Sequence, residues 1–316
     1  IYWVDVEGGA ATLIIAPSGQ SLLVDSGWRK PDDRDAKRIY AVATGQAHLK
    51  KIDYFEITHY HADHLGGIEA LAKMIPISHF VDHGARVETS GGVNAQNWAA
   101  YQVLATGGKR IIVKPGDRIP LKGVTITIVS SNGDLIAQPI NGGGPNDALC
   151  QDAKRREPLR TEDPRSVGFL LSYGKFQFAD LGDLPWDQED ALACPVNRLG
   201  KVDLLQVTCH GMSASGAPQQ LWALQPAVAV INNGPRKGGT AVVFETVKQI
   251  PGLQDIWQVH RALASDDAHN TSEPQTANLE PEAECHGNWL KAEVKPSGEF
   301  TLTNSRNGLS KAYQSR

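Results

Sequence analysis

The stretch Thr58-His59-Tyr60-His61-Ala62-Asp63-His64 decides the reading of this chain, because it packs three imidazoles and a carboxylate into six residues. The apolar run just before it, over 54–57, reads as a buried strand, and the residues after Leu65-Gly66-Gly67 predict a helix to 74. Imidazole nitrogens are borderline-soft ligands and a carboxylate oxygen a harder one. Placed on a loop at a strand end, they can converge on a cation. A solvated polar loop would need three of the ten histidines of the chain to fall here by accident.

Working outward, residues 2–6, 12–16 and 21–25 read as short strands separated by Gly8-Gly9 and Pro17-Ser18-Gly19, an antiparallel meander. A polar surface helix is predicted within 31–46. Strand pairs follow at 117–129 and 166–179, the second turning at Tyr173-Gly174-Lys175. Between them, 130–164 is irregular, with Asn132-Gly133 and Gly142-Gly143-Gly144 turns, and reads as a lid or rim insertion. The second half alternates: strand 202–207, helix 218–224, strand 227–231, helix 240–250, strand 256–259. The tail returns to strands at 289–294 and 300–303, a C-terminal extension over about 286–305. Strands with interposed helices in both halves predict two mixed sheets packed together with helices outside. No linker divides the chain, so a single domain over 1–316 is expected.

The His-x-His-x-Asp-His pattern after a strand resembles the signature of the metallo-β-lactamase superfamily, and further pieces follow in order. Asp25-Ser26-Gly27 resembles the early strand-end Asp that buttresses the metal loop without ligating. Gly182-Asp183-Leu184 resembles the segment that supplies a bridging carboxylate, and His210-Gly211 the one that supplies the last histidine. Within the superfamily the chain looks most like the soluble hydrolase-like domain of bacterial competence proteins. That likeness rests on Asp5-Val6-Glu7-Gly8-Gly9-Ala10, Leu23-Val24-Asp25-Ser26-Gly27 and Val207-Thr208-Cys209-His210-Gly211. The resemblance implies an α/β, four-layer αββα sandwich. It also implies a dinuclear centre, of zinc, with His59 and His61 at one ion, Asp63, His64 and His210 at the other, and Asp183 between them. Asp63 and Asp183 are then catalytic as well as ligating, since two cations acidify a shared water and clamp the attacked and departing oxygens.

One departure stands out. The superfamily turn that supplies another histidine corresponds here to Glu162-Asp163-Pro164-Arg165-Ser166, with no histidine. Glu162 falls at the ligand position, with Asp163 beside it. Either a carboxylate replaces the imidazole, or the position is empty and the first site weak. His83, after a strand, can contact substrate or protonate a leaving group, and a capping role is the alternative. His269-Asn270 is a similar candidate, catalytic at His269 and substrate-binding at Asn270, because competence-type domains place a histidine in this region. Cys209 reads as a small buried residue behind the presumed ligand His210. Arg165, near Lys154-Arg155-Arg156 and Arg160, can flank an anionic substrate or belong to a solvated charge run.

Composition bounds the rest. The chain has 316 residues, 41% hydrophobic and 21% charged, the ordinary range for a globular protein. A net charge of -4 provides no global field for nucleic acid or anionic lipid, so strong nucleic-acid binding is not expected and a small or short oligomeric substrate is. No apolar stretch reaches the length of a membrane span. The chain begins at Ile1 rather than Met, which reads as a trimmed N-terminus. The cysteines 150, 194, 209 and 285 show no Cys-x-x-Cys spacing. A disulfide between Cys150 and Cys194 is the preferred pairing, which would place the protein in the periplasm or outside the cell.

Three functional readings follow. The first is a metal-dependent phosphodiester hydrolase; the second gives the same centre a carboxylic ester, lactone or amide, including a β-lactam. The third is a non-catalytic metal-binding or sensing module. Against the third, more of the ligand pattern survives than a structural site needs.

Overall fold

The computed structural model describes residues 1–89, 91–107, 109–281 and 284–315. Two large sheets lie face to face. In the first, the spatial order is Ser310–Gln314, Glu299–Asn304, Leu290–Val294, Tyr2–Trp3, Thr12–Ile15, Ser21–Val24, Ile52–Glu56, Ile77–Asp82 and Lys109–Ile112. The pairing is antiparallel as far as Ser21–Val24 and parallel beyond it. In the second, Thr276–Asn278, Asp255–His260, Val228–Ile231, Leu204–Gln206 and Phe176–Asp180 run parallel, and Gly168–Tyr173, Thr125–Ser131 and Arg118–Ile119 continue antiparallel.

Period-two alternation sorts the side chains between cores. Leu22 and Val24 point into the space between the sheets, where they join Phe169, Leu171, Val228 and Val230. Their neighbour Leu23 points outward, to a layer with Ile39 and Leu71 from the helices Arg34–Ala41 and Ile68–Met74. On the far face, Leu170, Ala229 and Ile231 meet Leu192, Leu221 and Val247 from the helices Trp186–Ala193, Pro218–Leu224 and Ala241–Lys248. The result is helix, sheet, sheet, helix, as the sequence predicts. Phe178 is fully buried between Trp3 and Phe169, both at edge-on ring geometry. Phe178→Ala is expected to cost about 3–5 kcal/mol in a urea melt; a loss below 1 kcal/mol would contradict this packing. Buried Gln206 ties the sheets together, its Oε1 accepting from Trp3 Nε1 and Thr12 Oγ1, each at 2.8 Å.

Several elements lie outside the sequence reading. The helix Val93–Gly107 was not predicted: it buries Asn97 and leaves Val103 74% exposed, so its apolar residues form no clean stripe. The tail carries a further strand, Ser310–Gln314, beyond the expected end at about 305, with Tyr313 its one buried residue. Within 130–164 the chain forms a short pair, Gly144–Pro145 against Val196–Asn197, and the helix Asp147–Cys150. Cys150 is bonded to Cys194. Arg156 stacks 3.7 Å from the Trp186 ring centroid, and Trp186 Nε1 donates to Lys154 O at 2.8 Å. The insertion is thus fastened along its length to the helix Trp186–Ala193. No helix among the described residues is long and apolar enough to cross a membrane.

Glu189, on that helix, is fully buried and accepts the N–H groups of Gly216 and Ala217 at 2.7 and 2.8 Å. Burial pushes its carboxyl up to about 7 against the pull of those bonds. The folded chain therefore holds a proton that the unfolded chain releases near pH 4.5. Stability falls as pH rises from there to about 7, because the native state binds more protons over that window. Glu189→Gln is expected to flatten this decline in thermal melts taken across the window; an unchanged slope would contradict it.

Candidate metal centre

Parallel strands deliver their C-terminal ends to one edge, and the polar residues sit there. Asp25 follows Ser21–Val24, the histidine loop follows Ile52–Glu56, Asp183 follows Phe176–Asp180, and His210 follows Leu204–Gln206. Gly182 has φ +58°, and a Cβ there would stand 2.9 Å from Thr58 Cβ, so only glycine lets the Asp183 turn approach the histidine loop. Cys209 and His210 both adopt left-handed backbone, at φ 51° and 54°. Non-glycine residues hold that conformation only where the surroundings impose it.

Two donor groups result. In the first, His64 Nε2 lies 3.2 Å from His210 Nε2, 3.1 Å from Asp63 Oδ2 and 3.4 Å from Asp183 Oδ2. His210 Nε2 is 3.2 and 3.4 Å from the same two carboxylate oxygens. In the second, His59 Nε2 is 2.9 Å from His61 Nδ1, and Asp163 Oδ1 is 3.4 and 2.9 Å from those nitrogens. A tetrahedral ion with bonds of about 2.0–2.2 Å has ligand-to-ligand edges of about 3.3–3.6 Å. The first group has nearly those edges and the second is slightly tighter, so both fit a divalent ion with nitrogen and oxygen ligands. The groups adjoin, with the His59 and His64 ring centroids 4.2 Å apart.

The ligands are held from behind. Asp25 Oδ2 accepts from His64 Nδ1 at 2.7 Å, and Oδ1 accepts from the Thr58 N–H at 2.9 Å. That bond leaves Nε2 of His64 as the free nitrogen. His210 Nδ1 faces Asn232 O at 3.3 Å, and His61 Nε2 meets Glu88 Oε1 at 3.1 Å. Asp25→Asn is expected to weaken metal binding about 10- to 100-fold in a chelator competition; an unaltered affinity would remove Asp25 from this role.

Charge compensation governs protonation. Burial opposes the charged form of His64, yet Asp183, Asp63 and Asp25 outweigh it and raise its pKa well above the usual range. Burial likewise opposes ionised Asp63 and Asp183, but His64 and Lys237 hold Asp63 low, and His210 and His64 hold Asp183 low. Burial disfavours charged His61 too; Asp163 and then Glu88 prevail and bring it up to about 9. His59 falls well below the usual range through burial and the neighbouring His64. Burial and then Asp183 push the Cys209 thiol well up, which keeps it neutral, and Cys209 N donates to Gly182 O.

Glu162 takes another place than the sequence assigns it. Its carboxylate turns beneath residues 87–88, accepting from Val87 N at 3.1 Å and Glu88 N at 3.4 Å. Asp163, next in the turn Asp163–Arg165, faces His59 and His61 instead. His83 is buried against Tyr60, with Nε2 3.3 Å from Glu162 Oε1 but not aligned as a hydrogen bond. It belongs to the packing under the 83–88 loop and to neither donor group. His269 is also outside them, paired with Asp266 on the surface. Asn270 is spent on its own loop, bonding the N–H and C=O of Ala262 and the carbonyl of Asp266. Arg165 donates to Asn132 O and Oδ1 and lines a cleft of about 550 Å³ with Val87, Leu159, Arg160 and Thr161.

Lys237 escaped the sequence reading. Its Nζ contacts Asp63 Oδ2 and lies 5.3 Å from the Trp28 ring centroid. It sits in Asn232-Asn233-Gly234-Pro235-Arg236-Lys237-Gly238-Gly239, a turn-rich loop after a parallel strand, which is the signal that could have marked it. Gly238, at φ +83°, lets that loop pass His210, whose carbonyl oxygen would stand 2.2 Å from a Cβ.

Residues 4–148 match the sequence model of the metallo-beta-lactamase superfamily, and the two mixed sheets with helices outside are consistent with that fold. Solved structures similar to the chain include the metallo-beta-lactamase fold protein YhfI from Bacillus subtilis, at 14% identity and TM-score 0.46, covering 82% of this chain and 96% of that one. A metallo-beta-lactamase from Cronobacter sakazakii with a HARLDQ motif matches at 16% identity and TM-score 0.33, over 56% of this chain and 57% of that one. The flavodiiron protein from Giardia intestinalis matches at 14% identity and TM-score 0.35, over 56% and 33%. The chain thus spans little more than half the length of the Cronobacter protein. No curated protein matches it.

Proposed function

We propose that the protein is a metal-dependent hydrolase that cleaves a phosphodiester-type bond in a small or short oligomeric anionic substrate. The observation that carries the reading is the convergence of seven donors in two adjoining groups, with the Lys237 ammonium set against one of them. His59, His61 and Asp163 would hold one ion, and Asp63, His64, Asp183 and His210 the other. Their mixed nitrogen and oxygen chemistry suits zinc. Divalent metal bound there supplies Lewis acidity and lowers the pKa of water toward neutrality. Asp25 and Glu88 orient His64 and His61, so the donors need little rearrangement. Lys237 offers a fixed positive charge to an anionic group that displaces it from Asp63. Arg160 and Arg165, on the adjoining cleft, add positive charge for the rest of such a substrate. The choice of phosphodiester also draws on the likeness of the His210 segment to competence-type domains. The Cys150–Cys194 bond is in keeping with a periplasmic or secreted site of action.

The test sets bis(p-nitrophenyl) phosphate beside an activated lactone, with zinc-loaded wild-type protein and its metal content measured. Phosphodiester turnover that follows zinc content is expected. Lactone turnover alone would replace the reading with carbonyl chemistry, and no turnover of either by fully loaded protein would overturn it in favour of a binding role.

A further inference from the structure

A second place in the molecule gathers metal-ligand chemistry. Asp5, in the loop after Tyr2–Trp3, His260, at the end of Asp255–His260, and Cys285, in the segment before the C-terminal strands, each bring one donor atom within 4.8 Å of the others. Asp5 and His260 are fully buried, and Cys285 is a free, half-buried thiol. Cys285 Sγ lies 3.0 Å from Asp5 Oδ2.

His260 gives the second, independent indication. Its Nδ1 faces the Arg261 carbonyl at 3.3 Å, while its Nε2, fully enclosed, has no hydrogen-bond partner among the described residues. A buried imidazole nitrogen without a partner gives up its hydration for nothing in return, so it marks a place where a ligand can bind or a cost is tolerated. An imidazole that gives Nδ1–H to a carbonyl and keeps Nε2 bare is the form in which histidine binds metal. A hydrolytic triad does not explain the group, because there the imidazole stands between thiol and carboxylate, whereas here sulfur and carboxylate touch directly. Arg38 donates to Asp5 Oδ2 at 3.1 Å and to Glu7 Oε1 at 3.0 Å, and Arg34 also meets Glu7, so the arginine charge is shared with a second carboxylate. A carboxylate oxygen has two lone pairs, so Oδ2 can serve Arg38 and a cation together.

We infer that Asp5, His260 and Cys285 form a separate binding site for a divalent transition-metal ion of the zinc class. A thiolate with an imidazole and a carboxylate selects such ions over magnesium or calcium. On binding, the Cys285 S–H bond is replaced by a sulfur-metal bond and the proton passes to buffer. The ion fastens the loop after Tyr2–Trp3 and the C-terminal segment to the end of Asp255–His260. Asn278 orients the thiol from the other side, its Oδ1 3.6 Å from Sγ and already accepting from Asn288.

The test uses the full chain freed of metal and titrated with cobalt(II). The donors assigned to the main centre include no thiolate, so a thiolate-to-cobalt charge-transfer band reports on this site alone. The band is expected in wild type and in Cys209→Ala, and its loss is expected in Cys285→Ser together with one equivalent of bound metal. Absence of the band from wild type, or its persistence in Cys285→Ser, would overturn the site. A second measurement needs no variant: zinc is expected to slow alkylation of Cys285 in wild type about tenfold or more, read by peptide mass. Labelling indifferent to zinc would count against the site even if the main centre proves active.

Discussion

Asp183→Ala is expected to lose metal from the centre and to lower turnover by more than the roughly 10- to 100-fold that removal of an outer partner costs. Asp183 is nearly fully buried, and its Oδ2 stands 3.4 Å from the Nε2 atoms of both His64 and His210. Without it, two imidazoles face each other at 3.2 Å with Asp63 beside both and Asp25 behind His64 to offset them. Like-charged neighbours disfavour protonation, so the variant should hold fewer protons as well as less zinc. Asp183→Asn separates the two contributions, since it keeps the volume and an oxygen donor but removes the charge. Metal content by elemental analysis and turnover on the same samples decide the matter. Full zinc occupancy and full activity in Asp183→Ala would remove this carboxylate from the centre.

Lys237→Met is expected to act in two opposed directions. The ammonium competes with a cation for Asp63 Oδ2, so its removal should tighten metal binding at His64 and His210. A hydrogen bond between charged groups contributes about 1.5–3 kcal/mol. That corresponds to about 10- to 100-fold in an equilibrium. The same substitution removes positive charge offered to substrate, so KM for an anionic substrate should rise by a similar factor. Lys237→Arg keeps the charge and should change KM least. Tighter metal binding with unchanged KM would leave Lys237 as a counter-ion of Asp63 and nothing more.

What could be read from the chain beforehand follows from how local each signal is. His59, His61, Asp63 and His64 stand in one loop, and Asp183 and His210 each follow a recognisable strand, so their gathering at one sheet edge is legible from pattern. The choice between Glu162 and Asp163 is not. It depends on a turn bent by Pro164 and on two N–H groups of the 83–88 loop, which is distant in sequence and takes the Glu162 carboxylate for itself. Lys237 is a further case, reaching Asp63 across 174 residues. The pairing of Asp5 with His260 and Cys285 is equally nonlocal, since no two of the three share an element. The helix Val93–Gly107 stayed hidden for a different reason: it buries an asparagine and exposes a valine, and periodicity has little to register there.

The sheet that carries Asp25 sends alternate residues of one strand to two different cores, with Leu22 and Val24 on one side and Leu23 on the other. Asp25 stands directly after that strand, and its N–H donates to Glu56 O at 2.9 Å. Sliding this strand by one residue would shift Asp25 by about 3.3 Å and exchange the faces of all its neighbours. The affinity of the centre for its ions is therefore also a gauge of strand alignment. Substitutions at Leu22, Leu23 or Val24, none of which supplies a donor atom, should be audible in metal binding before they are audible in folding.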